Sequence, residues 1–332
     1  MTSSLPLTFL RLRFHCQAVT QLNLGGLRAG SNLRGALLNV MRRATCDQPA
    51  YPGAAPDPDH TARCPVCWLA AADEHPGHER RGYALTPPEC PAGSLPPGSC
   101  FDFHLMLFGE AARYLPYFVL AVPEAGRWGV GPGRGQFRLL SIFAEYPSGP
   151  DWTVLAEGDN LVCPPPAPVT HADLLARAET LASRLNGREP RMRFDFKTPL
   201  RLIVDKHLLK SPDFGALFNH ILLRVDHLAA QHAGAEPRPA EDRERLWNLA
   251  NRVRLVKSET GWADVSSGSR RTGQPTWISG MVGPAWYSAP ADVWRELLPW
   301  LLWGQFVQAG KDTAKGNGVF TFSIDPPGVG AS

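Results

Sequence analysis

Apolar and polar residues alternate over residues 6–19, the period of two that a half-buried strand requires, and His15 and Cys16 lie in this run. After a turn containing Gly25, Gly26 and Gly30, with Ser31 read as an N-cap, the period lengthens to that of a helix over residues 33–44. Leu33, Leu37, Leu38 and Met41 form its inner stripe and leave Arg34, Arg42 and Arg43 nearer the outside. Residues 100–107 read as a strand, 109–122 as an apolar helix that Pro116 kinks or shortens, and 136–143 as another alternating strand. The second half repeats the pattern: a strand at 191–203, a helix at 213–232, strands at 251–256 and 276–286, a helix at 291–307 and a last strand at 319–324. Each half reduces to β-α-β-β-α-β. The expected fold class is therefore α+β, two tandem ferredoxin-like (RRM-like) domains with a Cys-rich insertion in the first.

Two stretches break the periodicity. Residues 46–99 are rich in proline, glycine, alanine and acid, and read as an insertion without a core of its own. Residues 145–190 read as a connecting stretch, with a proline run at 164–166 and a helix over 171–185. The domains are drawn as 1–165, a connector at 166–190, and 191–332.

The insertion carries its own chemistry. Cys64-Pro-Val-Cys67 lets two thiolates reach one ion from a tight turn, and Cys46 lies just before. The expected ion is a structural zinc held by Cys46, Cys64 and Cys67, with the fourth position open to His75, His78, His60 or Cys90. A closed site of that kind holds a coreless segment together. Seven cysteines in a chain with no signal-peptide pattern and no apolar run of membrane-spanning length argue against a disulfide framework; the expected compartment is the cytoplasm.

Charge is informative through its placement, since a net charge of +3 says little by itself. After the apolar helix at 291–307 comes a loop with Gly310, Gly316 and Gly318 and with Lys311 and Lys315. Glycines reach φ > 0 and let a phosphate approach main-chain N–H groups, while the lysines supply charge. Residues 126–135, ending Gly133-Arg134-Gly135, place a similar glycine and base loop between helix and strand in the first half. Arg270 and Arg271 lie in a Ser/Gly-rich loop, and these cations grip phosphate rather than read bases.

The sequence resembles the CRISPR repeat-processing endoribonucleases of the RAMP superfamily over nearly its whole length. The likeness rests on residues 194–202 (FDFKTPLRL), 212–218 (PDFGALF), 222–224 (LLR), 278–283 (ISGMVG) and 310–318 (GKDTAKGNG), the last matching that family's C-terminal glycine-rich loop. Residues 31–37 (SNLRGAL), followed by Cys46 and Cys64-x-x-Cys67, resemble the first helix and Cys-rich insertion of a subset of members. The resemblance implies an enzyme that binds the stem-loop of a CRISPR repeat and cuts once at its 3′ base. It uses the RNA 2′-hydroxyl as nucleophile and no metal for catalysis, and leaves a 2′,3′-cyclic phosphate. Its implied partners are precursor and mature CRISPR RNA and other CRISPR effector subunits, with no membrane and DNA only indirectly.

Many members carry a histidine on or just after the first helix, and residues 33–43 have none. The base is then His15 or His60 brought in from nearby, or Arg34, Arg42 and Arg43 act by orientation and charge. A third alternative is a non-catalytic RNA-binding subunit of a CRISPR effector, and a fourth is a zinc-stabilised scaffold contacting protein. Gln308 stands where some relatives show histidine before the glycine loop.

Overall fold

A computed structural model of the chain describes residues 5–48, 57–71, 81–90, 92–147, 151–158, 160–268 and 275–325. The first alternation becomes β1, Phe9–Ala18, which sends Leu10, Leu12, Phe14 and Cys16 into one core. α1, Ala29–Thr45, lays Leu33, Leu37 and Met41 on that core. Ser31 is not its N-cap: a 3-10 turn, Gly26–Arg28, runs straight into the helix, so Arg28 holds the capping position and no side chain caps it.

Two short helices follow, α2 (Pro58–Arg63) and α3 (Pro65–Ala71). The expected insertion at 46–99 is not all insertion, because β2, Tyr83–Thr86, is a strand of the first sheet. Its Tyr83, Ala84 and Leu85 are all buried, which erases the alternation that marks a strand with one wet face. After β3 (Cys100–Phe108), a 3-10 turn, Gly109–Tyr114, takes the first part of the expected helix, and Pro116 occupies the first turn of α4 (Leu115–Trp128), where a missing N–H costs nothing; the helix is shortened at its start, as expected. β4 (Phe137–Glu145) is then extended by β5 (Trp152–Glu157) and β6 (Asn160–Leu161), where the sequence reads as connector.

α5, His171–Ala182, starts at a capping box in which Thr170 and Asp173 satisfy each other's backbone N–H. β7 (Arg191–Leu200) leads to α6 (Phe214–Ala233), capped by the Asp213 carboxylate accepting from the Ala216 N–H. α7, Ala240–Ala250, is too densely charged to show an apolar stripe and was not expected. β8 (Arg254–Ser258), β9 (Gly261–Ala263), β10 (Gly280–Ser288), α8 (Ala291–Val307) and β11 (Phe320–Ile324) complete the chain.

The two sheets run β2-β3-β1-β4-β5-β6 and β8-β10-β7-β11, with neighbours antiparallel and β9 paired to β10. In both, the first strand of the unit lies between the third and the fourth and the second takes the far position. That shared order is the tandem ferredoxin-like fold. One core crosses from unit to unit: Phe306 of α8 lies 4.4 Å from Phe9 of β1, and Trp303 lies 5.3 Å from it. The Trp303 indole N–H donates to His171 Nδ1 at 3.0 Å, and Arg11 and Arg177 both pair with Glu145, only 3% exposed. Each fully buried ring contributes about 2 kcal/mol, so this seam is held as a domain core is held. Among the described residues no helix is long and apolar enough to cross a membrane.

Candidate nucleic-acid interface

The glycine loop between α8 and β11 must turn sharply at both ends. Gln308 leaves α8 at φ 65, and Gly310, Asp312, Gly316 and Gly318 have φ of 77, 62, 84 and 71, a region costly for residues with a Cβ. Space is as strict as angle. A Cβ on Gly310 would sit closer than 3.0 Å to the Arg201 carbonyl, one on Gly318 to the Ala309 carbonyl, and one on Gly316 to Pro87. The N–H groups of Lys311, Lys315, Gly316 and Gly318 donate to the carbonyls of Arg201, Asp312, Thr313 and Pro199. These four N–H groups thus already have partners within the second unit. What the loop offers an anion is side-chain charge, from exposed Lys311 and from Lys315, which is half-buried and paired with Asp312 at 2.7 Å.

This loop sits on the first unit. A Cβ on Gly30, in the first turn of α1, would meet the Lys315 carbonyl and Gly316 Cα, and the Gln308 side-chain amide donates to the Leu85 carbonyl of β2 at 2.9 Å. Gln308 is fully buried and ties the two units together. The other glycine loop reaches the same end of α1. A Cβ on Gly131 would meet the Asn23 carbonyl and come 3.7 Å from Asn32, whose amide donates to the Leu24 carbonyl. Arg28, at the uncapped α1 N-terminus, and Arg134, at φ 50, are both exposed. Exposed cations at a helix start attract phosphate.

Behind the first turn lies a cluster that pattern reading missed. The Arg34 Nε–H donates to the Tyr83 phenol oxygen at 2.9 Å, with Arg81 beside both. Burial, then the Arg34 charge, draws the Arg81 guanidinium down to about 10. Burial pushes the Tyr83 phenol upward, but the charges of Arg34 and Arg81 and the Arg34 hydrogen bond outweigh it and leave the phenol below its ordinary value. Arg81, Arg34 and loop residue Asp312 are thus electrostatic neighbours drawn from β2, α1 and the second unit. The sequence signal available was a base before a strand that shows no alternation.

The other expected residues are dispersed. Arg43 stacks over Trp128 at 4.3 Å, and Arg42 is half-buried in the last turn of α1. His15 is not with Arg34: because Leu12, Phe14 and Cys16 join α1 in one core, strand alternation turns Arg13 and His15 to the opposite face. There His15 Nδ1 lies 2.6 Å from Asp102, and Arg13 covers Phe143 and Trp152 at 4.4 and 5.0 Å. Burial, then Arg11 and Arg13, hold His104 on the same face down at about 3. Arg270, Arg271, His75 and His78 lie outside the described residues.

His60, the other histidine weighed as a base, lies beyond the C-terminal end of α1. Its ring joins Cys46, Cys64 and Cys67, the four ligand atoms all within 4.8 Å of one another, a group that could hold a metal ion. Burial, then a hydrogen bond to Cys46 and the neighbouring Cys64, pushes the Cys67 thiol up to about 12.

Residues 6–167 match the AF_1859_N family model, an N-terminal domain, and residues 194–320 match the model of the CRISPR-associated endoribonuclease Cas6. No curated protein matches the sequence. Among solved structures, Thermus thermophilus Cas6 (TTHB231) aligns with 97% of this chain and 100% of its own at 12% identity, with a TM-score of 0.56. The Cas6 (TTHB231) product complex aligns with 96% and 100% at 15% identity and a TM-score of 0.54. A partial Cas6-RT-Cas1–Cas2 complex aligns with 96% of this chain and 46% of its own at 12% identity and a TM-score of 0.60. At these identities the structural likeness speaks for the fold.

Proposed function

We propose that this chain, a CRISPR repeat-processing protein of the RAMP type with a Cas6 endoribonuclease domain in its C-terminal half, binds the stem-loop of a repeat in precursor RNA and cuts it once at the 3′ base. The observation that carries this reading is the seating of the glycine loop of residues 310–318 on the first turn of α1, which brings the Cas6-matched half against the turn that precedes Arg34. Arg28, Arg134 and Lys311 hold the phosphate backbone, and Arg270 and Arg271 add to that grip. These contacts position the RNA, and the shape of the stem supplies most of the selection.

In the reaction the RNA 2′-oxygen attacks the adjacent phosphorus in line and the bond from phosphorus to the 5′-oxygen breaks. The 2′-proton leaves to solvent, the departing 5′-oxygen takes a proton, and the products are a 2′,3′-cyclic phosphate and a 5′-hydroxyl. The Arg34 guanidinium faces the charge that builds on the phosphorane, and the Tyr83 phenol fixes its direction. With no histidine on α1, orientation and charge carry the rate, and the turnover is slow. No metal takes part at the RNA in this reading; the Cys and His group has a structural role.

The solved relative is a product complex, and by analogy the mature guide stays bound to this chain, which then joins other CRISPR subunits. A second reading, a crRNA-binding subunit that does not cut, is favoured by the histidine-free α1 and by burial of Tyr83.

The test is repeat RNA from the protein's own locus, mixed with purified protein and chelator, beside a copy that is 2′-deoxy at the nucleotide before the cut. One cut in the all-ribose RNA and none in the deoxy copy is expected. Cleavage of the deoxy copy, or a need for divalent metal, would overturn the chemistry. Tight binding of both without a cut would select the second reading.

A further inference from the structure

Cys46, at the C-terminal cap of α1, and Cys64 and Cys67, before and within α3, converge although the sequence between them is irregular. Cys46 Sγ lies 3.7 Å from Cys67 Sγ and 3.5 Å from His60 Nε2. A tetrahedral ion with Zn–S of about 2.3 Å and Zn–N of about 2.0 Å separates its ligand atoms by about 3.7 Å from S to S and about 3.5 Å from S to N. A disulfide would bring the sulfurs to about 2.05 Å. Cys46 and Cys67 therefore stand at the edge length of a coordination tetrahedron and not at a bonding distance, and Cys64 completes the group within 4.8 Å.

The surroundings fit as well as the spacing. His60 turns Nε2 to the Cys46 sulfur and Nδ1 to the Asp47 carboxylate at 3.3 Å, the outer partner that fixes tautomer and direction in a ligating histidine. Cys64 and Cys67 are 5% and 4% exposed and Cys46 and His60 are half-buried, so most of the position is shielded from solvent, as in a structural site.

The residue after Cys67 gives the site a consequence. Trp68 packs 4.8 Å from Tyr114, lies under the Arg113 guanidinium at 5.1 Å, and meets the His232 ring edge-on at 5.4 Å. His232 ends α6 of the second unit, and Gly109 and Gly82 of the first unit approach it so closely that a Cβ on either would collide with it or its neighbours.

We infer that Cys46, His60, Cys64 and Cys67 bind one zinc ion, which fixes α3 so that Trp68 clamps the first unit to the end of α6. The site is separate from the RNA reading and stands or falls without it.

The experiment uses the full chain. Metal analysis of protein purified without added metal is expected to give one zinc per chain. Replacement by Co2+ is expected to give the thiolate-to-cobalt charge-transfer band and the visible bands of a tetrahedral ion. His60→Cys keeps the ion and shifts those bands, whereas His60→Ala lowers zinc content at least tenfold under dialysis. His75→Ala and His78→Ala retain it. Withdrawing zinc with a strong chelator changes tryptophan emission in the wild type, and Trp68→Phe abolishes that change. Where a Cys64→Ser chain fails to fold, the wild-type stoichiometry and the cobalt spectrum still decide the matter. A chain with no zinc and three freely alkylated thiols, a Cys46–Cys67 disulfide, or loss of zinc in His75→Ala would each overturn the proposal. A chelator response unchanged in Trp68→Phe would overturn the clamp.

Discussion

The two glycine loops share one order of parts and have opposite fates. At residues 129–135 a Cβ on Gly133 would meet nothing, and Arg134 stands exposed. At residues 310–318 five of the nine positions are buried, and the missing side chains at 30 and 316 are what allow one unit to lie on the other, while those at 310 and 318 let the loop fold back on its own unit. Similar composition thus serves a turn packed within its own unit in the first and a seam between units in the second. The seam, with Arg34 and Tyr83 behind it, is the only one of the two that joins residues from both units at α1 among the described contacts.

The largest expected effect is on stability. Gly318→Ala combines a positive φ with a backbone collision and is expected to cost about 3 kcal/mol, whereas Gly133→Ala meets only the φ penalty of about 1 kcal/mol. Thermal unfolding of the two variants measures the gap, and equal losses would break the comparison.

Next comes chemistry at the seam. Arg34→Ala is expected to slow single-turnover cleavage about 100-fold with RNA affinity little changed. Tyr83→Phe is expected to slow it about tenfold, with Arg34→Lys failing to restore the rate because a lysine cannot hold both phenol and phosphate. Affinity loss in place of rate loss would make Arg34 a binding residue only.

Acid sharpens the contrast between seam and sheet face. His171, held down at about 4 by burial and then Arg238, sits at the seam; His104, held at about 3, sits on the sheet face. Both folded values lie below the unfolded 6.5, so the unfolded chain binds more protons between these limits. Stability is full above pH 6.5 and falls as pH drops, by about 1 kcal/mol per unit for each histidine, levelling near pH 4 for His171. His171→Gln is expected to flatten a plot of unfolding free energy against pH over this window, and an unchanged slope would contradict the assignment.

The smallest effect is at the surface. Lys311→Ala and Arg134→Ala are each expected to weaken RNA binding at every sequence and to reduce the salt slope by about 1. A change confined to one RNA sequence would mean base reading.

Much of this fold was legible because Leu33, Leu37 and Met41, or the alternation through Leu12 and Phe14, show their periods openly. α8 was legible to the residue, Ala291–Val307. What escaped was structure whose period burial or charge had masked: Tyr83–Thr86, covered on both faces, and the charged α7. The site was half legible for a related reason. Cys46, Cys64 and Cys67 announce themselves by type and spacing, and His60 stood among the open choices; the fold brings His60 to them, which no spacing in the sequence foretells. Likewise no spacing links Arg34 to Tyr83, 49 residues apart, because they meet across a helix and a strand. His15 fails as Arg34's companion through a parity of the pleat that becomes decisive only once α1 is known to cover the other face.

The central claim is that RNA is held where the second glycine loop meets α1. The most direct test places 4-thiouridine beside the scissile phosphate of the repeat, crosslinks it to the wild-type protein by long-wave light, and identifies the attached peptides by mass spectrometry. The account predicts crosslinks within residues 28–34 and 310–316. Crosslinks confined to the opposite sheet face, around Arg13, His15 and Trp152, would contradict it.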